Sequence, residues 1–481
     1  MRLLLAASLL ACSAAAFAQK PAISAPNPVT GPIALDPAWQ SKSKALFKAA
    51  IEIPTVQGRG EHKRMAELLA QEYRKAGWSA DDIRLLSYKG DDGEEKVAFY
   101  ARWKAAKPTG KKPILLIAHM DVVEAKRADW VLDPFVFVEK DGYFYGRGTS
   151  DDKQGVIGTT VALFKLRSEG FKPGRDIVIF YTPDEETSGQ GARLGTTQWK
   201  AMLDAEYALN ADAGGGAYKA DGTPLGFGLQ TAEKIYQDFT LTAVNRGGHS
   251  SRPRADNAIY DLAAALQRLA TYRFEPKLTE TTRAYFTARA KQENGALGDA
   301  MRAWVANERD SKAADAIEVS ELEVGTTRTR CVATMLSGGH APNALPQKAT
   351  ANVNCRAMPG TQEQELLAEV KKIVGPEVEV TPVPEFKPSP PSPLRPDVVG
   401  AYSRSIARLY GKNVPIIPHM STGATDGLFF RSVGIPVYGA EANWGISPDD
   451  ERAHGLDERI PVRSFYNGIV HWENMLRELA G

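Results

Sequence analysis

Five separated stretches of the chain concentrate imidazole and carboxylate groups. His119 and Asp121 follow the apolar run ILLIA, and Asp151 and Asp152 sit in "GRGTSDDKQG". Asp184, Glu185 and Glu186 crowd "TPDEE", Asp212 follows "YALNA", and His454 lies in "ERAHGLD". Singly each is commonplace: a turn residue, a solvated acid, a helix N-cap. Jointly they pose a physical problem, because acids gathered at the ends of buried runs repel one another. Bound cations solve it by carrying the dominant local charge. Imidazole nitrogen with carboxylate oxygen suits zinc. Five protein ligands are too many for one catalytic ion, which keeps an open position. They suit two ions sharing a bridging carboxylate, an arrangement used for hydrolysis.

The surrounding pattern supplies the scaffold such a cluster needs. Apolar spacing of Met65, Leu68, Leu69 and Tyr73 predicts a helix over 61–78, and a second helix is expected over 152–170. Strands are expected over 97–103, 113–121, 176–181 and 207–211, with a hairpin over 135–146 turning at Asp141-Gly142. Alternating strands and helices indicate an α/β sheet whose ligands gather at the carboxyl ends of strands. Beyond Ile235 the order becomes strand–helix–strand–strand–helix–strand, the ferredoxin-like sequence of elements. A proline-rich hinge at 387–396 closes that unit, and the α/β pattern resumes. The expected organisation is a signal peptide over 1–18, a catalytic domain over 19–235 and 388–481, and an inserted domain over 236–387. A polar helical segment at 276–325 within the insert receives no role.

The order HxD, GRGxxDxK, EE, Asp and AHG resembles that of the zinc metallopeptidase family of aminoacylase, acetylornithine deacetylase, succinyl-diaminopimelate desuccinylase, carnosinase and carboxypeptidase G. The resemblance covers nearly the whole chain after the leader. It implies a zinc-exopeptidase-like α/β domain with a mostly parallel sheet, carrying an inserted ferredoxin-like lid that also dimerises. It implies two Zn2+ per subunit, with Co2+ or Mn2+ as substitutes. His119, Asp151 and Asp212 would hold one ion, and Asp151 would bridge to a second held by Glu186 and His454. Asp121 would orient His119, and Glu185 would be the general base that moves a proton from water to the leaving amine. His249 in "GGHSS" matches a histidine that reaches the partner subunit's site and stabilises an oxyanion. Arg356 matches an arginine that holds a substrate carboxylate, while Asn343 and Gly423 match substrate-lining positions. The peptide after the bridging aspartate, Asp151–Asp152, is expected to be cis. Asp184 is read as a turn residue only, and His62, His340, His419 and His471 receive no role.

A chain of 481 residues suits two domains rather than one core. Its net charge of +1 argues against a nucleic-acid or membrane-surface partner. "MRLLLAASLLACSAAAFAQK" has the basic start, short apolar run and Ala-Phe-Ala cleavage site of a secretory leader. The expected location is the periplasm, with lipidation of Cys12 as a minor alternative, and no stretch is long enough to span a membrane. Cys331 and Cys355 sit almost symmetrically about the loop "GGHAPNALP", which fits either a disulfide or two buried thiols. The function expected is hydrolysis of peptide bonds in small substrates with a free carboxylate, because aspartate at position 212 accompanies peptidases within the resembled family. The same-class alternative is an N-acyl amino acid hydrolase, and the different-class one an inactive metal-binding scaffold. A serine hydrolase is disfavoured because the chain has no G-x-S-x-G elbow.

Overall fold

A computed structural model describes residues 29–383 and 386–481. The leader expected over 1–18, with Cys12, lies outside the described residues. Among the described residues, no helix is long and apolar enough to cross a membrane.

The runs ILLIAH (Ile114–His119) and IVIFYT (Ile177–Thr182) are buried along their whole length. Continuous apolar strands of this kind need cover on both faces, and they lie side by side in the middle of an eight-stranded sheet. With Tyr207–Tyr218 and Val437–Ile446 they form a parallel centre. Glu95–Trp103 and Ile83–Lys89 add antiparallel strands at one side. Pro224–Glu233 pairs antiparallel to Val437–Ile446 at the other side and carries Ile416–Ser421 as the edge. The sheet is therefore mixed around a parallel core. Helices Lys153–Ser168 and Val462–Ala480 pack against each other within the larger apolar core, on one face of the sheet. Parallel strands end at a common edge, and that is where the acids and histidines emerge.

The strand after Asp212 does not turn where the glycines begin. It runs through Gly214–Gly216 to Tyr218, threading between neighbouring strands. A Cβ at Gly214, whose φ is +106°, would lie 2.7 Å from the Gly439 carbonyl, so only glycine lets the backbones approach.

The second sheet has the order Arg330–Gly338, Lys348–Ala357, Ile235–Val244, Glu379–Pro382, antiparallel throughout. Alternate residues of Ile235–Val244 and Lys348–Ala357 are buried, as a strand covered on one face requires. Helices Ala258–Thr271 and Glu363–Val374 close a separate core over that face. This is the ferredoxin-like arrangement read from the sequence. The segment 276–325 folds into three helices, Glu280–Arg289, Gly295–Ala306 and Ser311–Ile317, around Phe286, Met301, Trp304 and Ile317. Although inserted within the second unit, it packs Glu280–Arg289 on the edge strand Ile416–Ser421 of the large sheet. Thr281 Oγ1 lies 2.7 Å from Thr231 Oγ1 across that junction. Covering an exposed edge removes a template for unwanted strand pairing.

Cys331 stands directly opposite Cys355 in the strand register, and the two form a disulfide. Their sequence separation of 24 gives a chain-entropy stabilisation of about 3.5 kcal/mol. The double variant Cys331→Ser/Cys355→Ser is expected to lose about that much in urea unfolding of the second unit. Unchanged stability would contradict the assignment of a structural role to the bond.

Candidate metal centre and active site

His119 is the last residue of a central strand, and its backbone N–H donates to Asp152 Oδ2 at 3.2 Å. Its Nδ1 lies 3.1 Å from the Asp121 carbonyl and 3.5 Å from Asp121 Oδ1. The Asp121 carboxylate spends its best hydrogen bonds elsewhere, accepting the N–H of Glu185 at 3.1 Å and of Glu186 at 3.0 Å. Asp121 thus meets the imidazole chiefly through its carbonyl and also fixes the turn bearing both glutamates. That second task was not visible in the sequence.

Asp151 lies between the two histidines. Its Oδ1 is 3.0 Å from His119 Nε2, and its Oδ2 is 3.1 Å from His454 Nε2. His119 Nε2 also faces Asp212 Oδ1 at 3.5 Å, and His454 Nε2 faces Glu186 Oε2 at 2.9 Å. His454 takes φ +60°, a left-handed conformation few residues adopt. The Asp151–Asp152 peptide is cis, as the resemblance implied. A carboxylate oxygen of Glu185 lies within 4.8 Å of ligand atoms of His119 and Asp212.

The charges explain what this arrangement can hold. Burial drives the Asp212 carboxyl up to about 6, with the Asp151 and Glu186 charges adding and His119 opposing. Burial likewise holds Glu185 well above the usual carboxylate range, again against the pull of His119. Burial lowers His119, but Asp212, Asp121 and Asp151 more than offset it and hold the imidazole well above its ordinary value. Hydrogen bonds to Asp151 and Glu186 raise His454 to about 10. The acids therefore draw protons onto both histidines, the role a cation fills better. Ligand bonds of about 2.0–2.2 Å place tetrahedral donors roughly 3.4 Å apart, which matches the imidazole–carboxylate separations of 2.9–3.5 Å. The donor set fits two metal ions.

The cleft beside this cluster has a volume of about 380 Å3 and is shared between the two sheets. The large unit contributes Glu185, Glu186, His454 and Gly423, and the second unit contributes Tyr236 and Arg356. Arg356 stacks its guanidinium on the Tyr236 ring at 4.6 Å. His249 and Asn343 stand elsewhere. His249 pairs with Ala344 in a short antiparallel ladder, is exposed, and sets Nδ1 2.8 Å from Ser251 Oγ. The Asn343 carbonyl accepts the Ser250 N–H at 3.0 Å. The two are neighbours on the second unit but do not line their own chain's cleft.

Asp184 behaves as a turn residue. Its carboxylate accepts the Gly191 N–H and Ser188 Oγ–H at 2.9 and 3.0 Å, and its carbonyl accepts three successive N–H groups. His471 is buried in a helix with Nε2 2.8 Å from the Ala440 carbonyl, remote in role from the cluster. Sequence reasoning passed over Glu458 and Arg147, which form a buried ion pair at 2.6 Å behind Asp151. Only their positions, four residues from His454 and from Asp151, could have drawn notice.

The sequence model described as "Peptidase family M20/M25/M40" matches residues 115–478. The chain belongs to that family. It is therefore a hydrolase of a metal-dependent peptidase family, and the identification drawn from the motif order holds. The chain is 31% identical over 359 residues to the N-fatty-acyl-amino acid synthase/hydrolase of Xenopus tropicalis, covering 72% of this chain and 69% of that protein. It is 26% identical over 386 residues to a probable carboxypeptidase S-like protein of Dictyostelium discoideum, covering 76% and 71%. Its fold matches an M20 family metallo-carboxypeptidase from Sulfolobus solfataricus with a TM-score of 0.66 at 20% identity, covering 91% and 99%.

Proposed function

We propose that this member of the M20/M25/M40 family is a secreted dinuclear zinc hydrolase. Its substrates are small, and their scissile amide joins an acyl group to an amino acid with a free carboxylate. The observation that carries the two-ion reading is the Asp151 carboxylate, one oxygen on each histidine. His119, Asp151 and Asp212 would hold one ion, and Asp151, Glu186 and His454 would hold the other. Zn2+ suits these donors, with Co2+ or Mn2+ as substitutes. When bound, the ions polarise the scissile carbonyl and lower the pKa of the attacking water. Glu185 takes the proton from that water and returns it to the leaving nitrogen. Arg356 grips the substrate carboxylate, held in place by the Tyr236 ring.

His249 acts on a neighbouring copy. The edge strand Arg330–Gly338 exposes Met335 and Leu336 at 71% each, which supports a homodimer built on this strand. The partner's cleft then receives His249, with Asn343 beside it, to meet the developing oxyanion. The Cys331–Cys355 disulfide and the leader-like start support export to the periplasm.

Asp212 favours peptides as the acyl donors, in keeping with the carboxypeptidase S-like relative. A second reading, N-acyl amino acids, is favoured by the N-fatty-acyl-amino acid synthase/hydrolase relative. Dipeptides and N-acyl amino acids assayed side by side, with zinc and with chelator, separate the two. Faster cleavage of N-acyl amino acids overturns the peptide reading, and chelator-insensitive turnover overturns both. Charge-assisted hydrogen bonds of about 1.5–3 kcal/mol predict that Arg356→Ala raises KM about 10- to 100-fold with little change in kcat. The same variant is expected to treat carboxamide-capped substrates as the wild type does. An unchanged KM for the free acid would remove Arg356 from carboxylate binding.

A further inference from the structure

We propose that Arg147 and Glu458 are positioning residues that couple the two loops bearing Asp151 and His454, and so act most strongly on the affinity for the ion that has two ligands on those loops. Glu458 is fully buried and Arg147 is 2% exposed. Glu458 Oε1 accepts the backbone N–H groups of Gly148 at 3.1 Å, Ser150 at 2.7 Å and Asp151 at 3.2 Å, together with the Ser150 hydroxyl at 3.1 Å. Four donors on one carboxylate oxygen fix the backbone that delivers Asp151. Glu458 Oε2 pairs with Arg147 Nη1 at 2.6 Å. The other arm of the guanidinium, Nη2, donates to the carbonyl of Gly455, the residue after His454, at 3.0 Å. The guanidinium face rests over the Trp130 ring at 5.1 Å.

The tie is reciprocal. The acid from the His454 loop holds the Asp151 loop, and the base from the Asp151 loop holds the His454 loop. A fork that binds a carboxylate and a carbonyl together is a task for arginine, not lysine. His119 and Asp212 do not depend on this tie, since they stand on central strands held by the sheet, so the ion they share with Asp151 has one of its three ligands on a tied loop. The ion shared by Asp151, Glu186 and His454 has two of its three ligands on the tied loops. Partners of ligands typically change metal affinity by about 10- to 100-fold.

The inference rests on the two-ion reading, and zinc titration of the metal-free protein tests both. The wild type is expected to bind two zinc ions per chain. Glu458→Gln keeps the shape but loses the charge and one acceptor, and is expected to weaken the ion at Glu186 and His454 at least 10-fold and the other ion, which shares only Asp151 with the tied loops, by at least threefold less. Circular dichroism of the metal-free variant checks that it is folded. Should it not fold, Arg147→Lys keeps the charge and breaks the fork, and is expected to show the same selective loss at about 3- to 10-fold. Equal weakening of both ions, or of neither, in the folded variant overturns the inference and leaves the two-ion reading intact. A wild type that binds a single ion overturns the two-ion reading, and the inference falls with it.

Discussion

Glu185→Gln is expected to lower kcat at least 100-fold while both zinc ions remain bound. The carboxylate stands beside His119 and Asp212, with its backbone pinned to Asp121. From there it can either accept a proton from water or ligate an ion, and the substitution separates the two roles. A general base contributes about 10²- to 10⁴-fold, and its amide isostere cannot accept the proton. A ligand would instead take an ion with it when lost. Retained zinc with collapsed kcat and a KM near the wild-type value identifies the base. Loss of one equivalent of zinc would make Glu185 a ligand, and a fall of less than tenfold would remove it from proton transfer.

Asp151→Asn is expected to be the more damaging change, lowering kcat/KM by about a thousandfold or more and reducing zinc content. Asp151 faces both histidines, at 3.0 and 3.1 Å. An amide offers one neutral oxygen where two cations need a shared anion. Lewis-acid stabilisation by a bound ion is worth several kcal/mol, and about 1.4 kcal/mol is a factor of ten in rate. Atomic absorption on the dialysed variant, run beside its kinetics, checks the prediction. Two zinc ions retained with activity within tenfold of wild type would deny Asp151 its bridging role.

Much of this centre was legible in the sequence because each group is attached to a strong local signal. His119, Glu185 and Glu186 follow runs too apolar to be anything but buried strands, and Asp212 follows another. Parallel strands must end at one edge, so their trailing residues had to converge. Other features left no local trace. Pro224–Glu233 and Ile416–Ser421 are strands whose glycines and prolines mask any alternation. The helix Glu280–Arg289 of the segment 276–325 packs on a strand distant in sequence, a choice made by shape rather than pattern. Pairing of Cys331 with Cys355 needed the register of two strands, which spacing alone leaves open. Arg147 and Glu458 are hidden for the same reason, since a buried pair 311 positions apart looks like two ordinary surface charges. Asn343 matched a substrate-lining position yet stands outside its own chain's cleft, which a linear sequence cannot reveal, whereas the resemblance had already implied the partner subunit's site for His249.

Anomalous diffraction at the zinc edge, from crystals of the zinc-loaded protein, shows whether two ions share the Asp151 carboxylate. Two peaks are expected about 3.5–4 Å apart, the usual spacing of co-catalytic pairs. One should contact His119 and Asp212, the other Glu186 and His454, with Asp151 touching both. A single peak, or two peaks that do not share Asp151, would contradict the bridged two-ion centre.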